Sequence, residues 1–184
     1  MQSQEHKLLL DQAKIDLILH RLACQLIENH GDFHQTVLIG LQPRGVFFAE
    51  RIIDLLQAEY EVQNIEYGIL DTTFFRDDFR QQDKTLLANT SRMEVPIEGK
   101  NVVLIDDVLY TGRSIRAALT AIDTYGRPNA VELMVLIDRR FSRHLPIQPD
   151  YKGAQIDALQ GDKVRVEWAA ESGNDQIYLF SKDQ

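Results

Sequence analysis

Two adjacent acids and a turn of small polar residues stand together in the run VVLIDDVLYTGRS at 102–114. Val102, Val103, Leu104 and Ile105 make a continuous apolar stretch with the β-branched bias of a strand covered on both faces. Asp106 and Asp107 then fall at its carboxyl end, the end at which open α/β sheets bind their ligands. Thr111, Gly112, Arg113 and Ser114 follow as a turn opening onto a helix. Such a turn offers backbone N–H groups, two hydroxyls and a helix N-terminus to one anion, so phosphate is its natural occupant. Gly112 lets the backbone approach that anion closely. The acids repel phosphate but accept hydrogen bonds from sugar hydroxyls, and a ribose 5-phosphate satisfies both halves. Two simpler accounts compete. The acids could merely end a strand while Thr111 or Ser114 caps a helix; or the turn could be a nucleotide P-loop, which would need a Gly-Lys-Ser/Thr that this run lacks.

Positioning such a site requires strands and helices in alternation. Leu8, Leu9, Ile15, Leu19, Leu22 and Leu26 recur at helical spacing, with a stop at Asn29 to Gly31, and predict a first helix that carries Cys24 into the core. Residues 36–41 read as a buried strand ending in Gln42-Pro43-Arg44-Gly45, followed by a helix over 45–58. Further strands are expected at 65–70, 101–106 and 131–137, with a helix at 113–125 closed by Gly126 and Pro128. These are parallel βαβ units, an α/β fold with a central, mainly parallel sheet flanked by helices. The polar stretch 77–100 reads as a long flexible loop, 138–163 breaks up around Pro146, Pro149 and Gly153, and 163–168 with 177–180 look like short edge strands.

The 184 residues, 44% hydrophobic, fit one domain spanning 1–184 with a sizeable core. One cysteine forms no internal disulfide, and no apolar run reaches the roughly 18 residues of a membrane span. A cytoplasmic protein with no membrane partner is therefore expected. A net charge of −8 opposes broad nucleic-acid affinity and asks that positive charge be concentrated at any anion site.

The run at 102–114 resembles the 5-phosphoribosyl-1-pyrophosphate (PRPP) motif of type I phosphoribosyltransferases, and its DVLYTGR wording is most similar to the PyrR group. IGLQPRG at 39–45, DTTFFRDDF at 71–79 and LIDRRFSRHLPIQPDY at 136–151 agree, in the family's order. The resemblance implies a type I fold with a flexible loop at about 77–100 and a C-terminal hood at about 138–163. It implies the reaction of uracil with PRPP to give UMP and pyrophosphate, with magnesium as cofactor. It assigns Asp106 and Asp107 to the ribose hydroxyls and, through water and substrate, to the metal. Tyr110, Thr111, Gly112, Arg113 and Ser114 fall to the 5-phosphate, and Pro43, Arg44 and Gly45 to pyrophosphate, with Pro43 standing where the family usually has threonine. Arg76 matches an arginine at the base of the loop that closes on the leaving group. Asp138, Arg139 and Tyr151 are the expected base-binding residues.

The PRPP motif meets only the shared substrate, so a transferase for hypoxanthine or guanine stays open. Members of the PyrR group combine the transferase with UMP-dependent binding of pyrimidine-operon leader mRNA, a transcription attenuation activity. Here His20, Arg21, Arg140 and Arg143, with Arg139 and His144 nearby, are the candidate RNA surface, against ordinary surface charge. Cys24 replaces a histidine common in RNA-binding relatives, and DRRFSRH is one residue longer than the usual form. A homo-oligomer, dimer or tetramer, is expected.

Overall fold

The computed structural model describes residues 6–75, 91–159, 161–169 and 173–181. In chain order these form β1 (His6–Leu10), α1 (Gln12–His30), β2 (Thr36–Leu41), α2 (Gly45–Ala58), β3 (Glu66–Leu70), a 3-10 turn (Thr73–Phe75), β4 (Asn101–Leu109), α3 (Arg113–Ile122), β5 (Ala130–Arg140), β6 (Tyr151–Asp157), β7 (Lys163–Glu167) and β8 (Gln176–Phe180). Five strands make one sheet in the order β3-β2-β4-β5-β6, every neighbouring pair parallel. Parallel pairing with helical crossovers requires cover on both faces. Alternation along β4 shows it: Val103 and Ile105 pack with Ile15, Leu22 and Leu26 of α1 and Phe48 and Ile52 of α2. Val102 and Leu104 pack with Ile115, Ala118 and Ile122 of α3 on the opposite face.

The expected bounds hold at β2 and α2, and differ elsewhere for local reasons. Leu8 and Leu9 belong to β1, not to the first helix. Asp11 separates the two elements as an N-cap, its carboxylate accepting from the Lys14 N–H at 3.0 Å. Cys24 is exposed rather than core, donating to the Tyr60 hydroxyl at 3.3 Å, because the buried stripe of α1 runs through Leu22, Ala23 and Leu26. β4 and β5 run past their expected ends to Leu109 and Arg140, and α3 stops at Ile122, where i+3 hydrogen bonds from Thr124 and Tyr125 tighten the exit.

The stretch 138–163 also contains β6, a strand of the main sheet. Gly153 lies within it, since a Cβ there would stand 2.4 Å from the Leu136 carbonyl oxygen and 2.8 Å from Ile18 of α1. A second sheet, β1-β8-β7, is antiparallel and joins the two ends of the described chain, with the expected pair at 163–168 and 177–180 as β7 and β8. It is anchored by Trp168, buried and stacked on Phe48 at 6.3 Å, and by buried Asp175, which accepts from Arg51 of α2 at 2.9 Å and from the Ala169 N–H at 2.6 Å. This small sheet overhangs the carboxyl end of β4.

Candidate active site

Strand geometry decides what the two acids face. Successive residues of β4 point to opposite sides, so Asp106 lines a pocket of about 320 Å³ with residues 108–115. Asp107 lines a separate cleft of about 380 Å³ beneath the small sheet, and Val108 borders both. Asp106 is half-buried and accepts from the Asp107 N–H at 2.9 Å. Asp107 is only 7% exposed. Burial pushes its carboxyl above the ordinary range, and the nearby Arg44 cation partly opposes that.

The pocket expected to hold phosphate is built by the turn after β4. Gly112 caps α3 at φ +91, a left-handed conformation open to glycine. The N-cap residue Gly112 has no side chain with which to cap that helix, and an uncapped N–H of a first turn is a donor for an anion. The Thr111 hydroxyl accepts from the Arg113 N–H at 3.4 Å, and Tyr110, Thr111, Gly112, Arg113 and Ser114 all line the pocket.

The turn at 42–45 joins the same edge. Its Gln42–Pro43 peptide is cis. Gly45 lies so close to β4 that a Cβ would stand 2.4 Å from the Ile105 carbonyl oxygen and 2.9 Å from the Asp106 Cα. Pro43 and Arg44 are exposed. The Arg44 guanidinium, expected at pyrophosphate, instead reaches β7 and donates to the Val166 carbonyl at 2.8 Å. Arg76 lies outside the described residues, as does 77–90 of the expected flexible loop. The chain leaves and returns at one place: the Asp71 N–H donates to the Ser91 hydroxyl at 3.0 Å, and Ile69 and Arg92 exchange backbone bonds.

The three expected base-binding residues do not meet. Tyr151 is buried; its ring packs among core residues of α1 and the main sheet. Its hydroxyl bonds Asn29 at 2.9 Å, His30 at 3.1 Å and Glu132 at 2.7 Å, and His30 in turn holds Thr36 at the start of β2. That places the hydroxyl at the amino end of the sheet, away from the acids, which removes Tyr151 from base binding. Asp138 and Arg139 are at the correct edge and line one pocket of about 420 Å³, each also with partners in the protein. Asp138 accepts from Arg143 and from Gln155. Arg139 lies 4.1 Å beneath the Tyr110 ring, donates to the Asp162 carbonyl, and has its guanidinium pKa lowered by burial.

The cleft beneath the small sheet is instead lined by Arg44, Asp107, Val108, Lys163, Val164, Arg165 and Phe180. The β7 and β8 residues of this wall were not anticipated, because only tertiary folding brings them to Asp107. The candidate RNA residues divide: Arg140 and Arg143 line one pocket of about 420 Å³ with Arg139 and Lys152, whereas His20 lines another with Asp16 and Glu59. His20 bonds Glu59 and the Asp16 carbonyl, Arg21 reaches the Lys152 and Gly153 carbonyls, and Arg140 pairs with Asp157. Arg143 turns toward the phosphate turn. The hydrogen bond to the Asp16 carbonyl, then that to Glu59, raises the His20 pKa.

A family model described as phosphoribosyl transferase domain matches residues 6–171. This chain belongs to that family, in its PyrR branch. It is 41% identical over 98% of its length, and 93% of the relative's, to the bifunctional protein PyrR of Streptomyces coelicolor. It is 40% identical over 96% of its length, and 98% of the relative's, to the pyrimidine operon regulatory protein of Lactococcus lactis subsp. lactis. Among solved structures, a hypoxanthine-guanine phosphoribosyltransferase of Bacillus anthracis aligns with a TM-score of 0.66 at 19% identity over 86% of each chain. The hypoxanthine phosphoribosyltransferase of Trypanosoma cruzi aligns with a TM-score of 0.62 at 20% identity, over 85% of this chain and 79% of that one. These two likenesses establish the type I fold, and their low identity carries nothing about the base. No described helix is long and apolar enough to cross a membrane.

Proposed function

We propose that this protein is a uracil phosphoribosyltransferase, converting uracil and PRPP to UMP and pyrophosphate, and a UMP-responsive regulator of pyrimidine genes acting on leader mRNA. The observation that carries the enzymatic reading is the arrangement around the end of β4. A phosphate turn and Asp106 lie on one side, and Asp107 faces a cleft roofed by β7 on the other. PRPP laid across this edge would place its 5-phosphate on the N–H groups of 112–115 and its ribose hydroxyls against the acids. The base would enter the cleft, against Val164 and beside Lys163. The regulatory half rests on the relatives' names, bifunctional and pyrimidine operon regulatory, and these also favour uracil over the purine bases.

In the reaction the uracil N1 forms its bond to the anomeric carbon as the bond to pyrophosphate breaks, the electron pair leaving with pyrophosphate and the N1 proton passing to solvent. The anomeric carbon becomes cationic, and the Asp106 and Asp107 carboxylates favour that charge. The phosphate turn and β7 hold the two reactants in line, a positional contribution. Among the described residues no three acidic, histidine or cysteine side chains gather as a metal cage. Two carboxylates at a sugar site fit magnesium, a hard cation that keeps its water and takes substrate oxygens, and there it would neutralise the leaving pyrophosphate. Arg76 is proposed to close on that leaving group.

The test is UMP formation from uracil and PRPP with and without a divalent cation, in wild type and in the Asp106→Asn/Asp107→Asn double variant. Cation-dependent product that the variant does not make supports the reading; undiminished product in the variant contradicts it.

A further inference from the structure

We propose that Arg143, expected on an RNA surface, is a positioning residue for the phosphate turn, bracing it against Asp138 at the end of β5. The inference rests on the reading of 110–114 as a phosphate-binding turn. A turn that aims its N–H groups at one anion must aim carbonyls away from it, and those carbonyls need donors of their own. Two such donors come from the segment after β5. Arg143 Nη1 donates to the Tyr110 carbonyl at 2.6 Å, and the His144 N–H donates to the Thr111 carbonyl at 3.0 Å. The other arm of the Arg143 fork, Nη2, holds Oδ1 of Asp138.

Asp138 is itself fixed. It is 5% exposed, and its second oxygen accepts from Gln155 Nε2 of β6 at 3.0 Å. The height of the turn is thereby set by two strands of the main sheet. The same segment fills the space behind Gly112, where a Cβ would stand 3.2 Å from Ile147 Cδ1. The planar guanidinium presents two separate Nη donors, one to the carbonyl and one to the carboxylate, a fixed spacing that the single ammonium of lysine does not reproduce.

The experiment measures PRPP binding by calorimetry, and KM for PRPP and uracil, in wild type, Arg143→Ala, Arg143→Lys and Asp138→Asn. The PRPP Kd and KM should rise about tenfold in Arg143→Ala, or about 1.4 kcal/mol, with the uracil KM unchanged. Lysine should restore little of it. Asp138→Asn should weaken PRPP in the same direction, and adding it to Arg143→Ala should cost less than the sum of the two changes. Should the alanine variant not fold, the lysine and Asp138→Asn variants carry the test alone. PRPP affinity within twofold of wild type in the folded variants overturns the brace. So does a loss of leader-RNA affinity with PRPP affinity intact, which would return Arg143 to the RNA surface. Wild-type binding of PRPP without UMP formation would sink the uracil reading, while the predicted PRPP loss in Arg143→Ala would still uphold the brace.

Discussion

The two sides of the β4 edge are built in different ways. The phosphate side is Asp106 with one continuous stretch, residues 108–115, whose geometry follows from a strand, a left-handed glycine and the helix start it opens. The cleft side is assembled from β7, β8, Arg44 of the turn before α2, and Asp107 and Val108 of β4, and is held in place by Trp168, Asp175 and the Arg44 bond to Val166. A local turn is suited to a group that all PRPP-dependent reactions share. A wall carried on a separate sheet can change without disturbing it, which makes it the natural seat of base selection.

Removing both acids should break both sides at once. Asp106→Asn/Asp107→Asn is expected to lower turnover by about 10²- to 10³-fold, the order seen when preorganised electrostatic groups are lost. Its far-UV circular dichroism should be unchanged. Trp168→Ala should damage the cleft side alone. It is expected to cost about 3–5 kcal/mol in denaturant unfolding and to raise the KM for uracil far more than that for PRPP. Equal increases in the two constants would mean that the small sheet holds the phosphate side as well.

Asp107 should show opposite effects on function and stability. Its carboxyl pKa is raised by burial, so the folded state holds a proton more tightly than the unfolded chain, whose carboxylate titrates near the ordinary value of about 3.9. Stability from this group is full at acid pH and falls as pH rises through that value toward the raised one. Asp107→Asn is therefore expected to melt higher than wild type at neutral pH, with the gap closing toward pH 3, while losing activity. A lower Tm for the variant at pH 7 would contradict the assignment.

The smallest effect is expected at His20, far from both sides and partly solvated. Its raised pKa makes its bonds to the Asp16 carbonyl and to Glu59 stabilising below about 6.5, and that contribution is lost as pH rises through the raised value. His20→Gln should cost no more than about 0.5 kcal/mol at pH 6 and less at pH 8, read by thermal melts.

This division also explains what could be read from the residues in order. β2 and α2 were legible to the residue because apolar runs and a proline-glycine turn mark their ends locally. The phosphate turn was legible because its chemistry is contiguous. β6 was obscured by Pro146, Pro149 and Gly153, although the prolines precede the strand and the glycine is demanded by α1 packing over it. Tyr151 suggested a stacking platform, but only the fold shows its hydroxyl among His30, Asn29 and Glu132 at the far end of the sheet. Lys163, Val164 and Phe180 carry no motif, since their role depends on a sheet that joins the two ends of the described chain.

The central claim is that uracil is the base this edge accepts. It is tested most directly by offering uracil, hypoxanthine, guanine and orotate in competition with PRPP and a divalent cation, and resolving the nucleotides formed by chromatography. The account predicts UMP as the dominant product. Predominant IMP or GMP, with uracil left unconsumed, would contradict it and move the protein to a purine base.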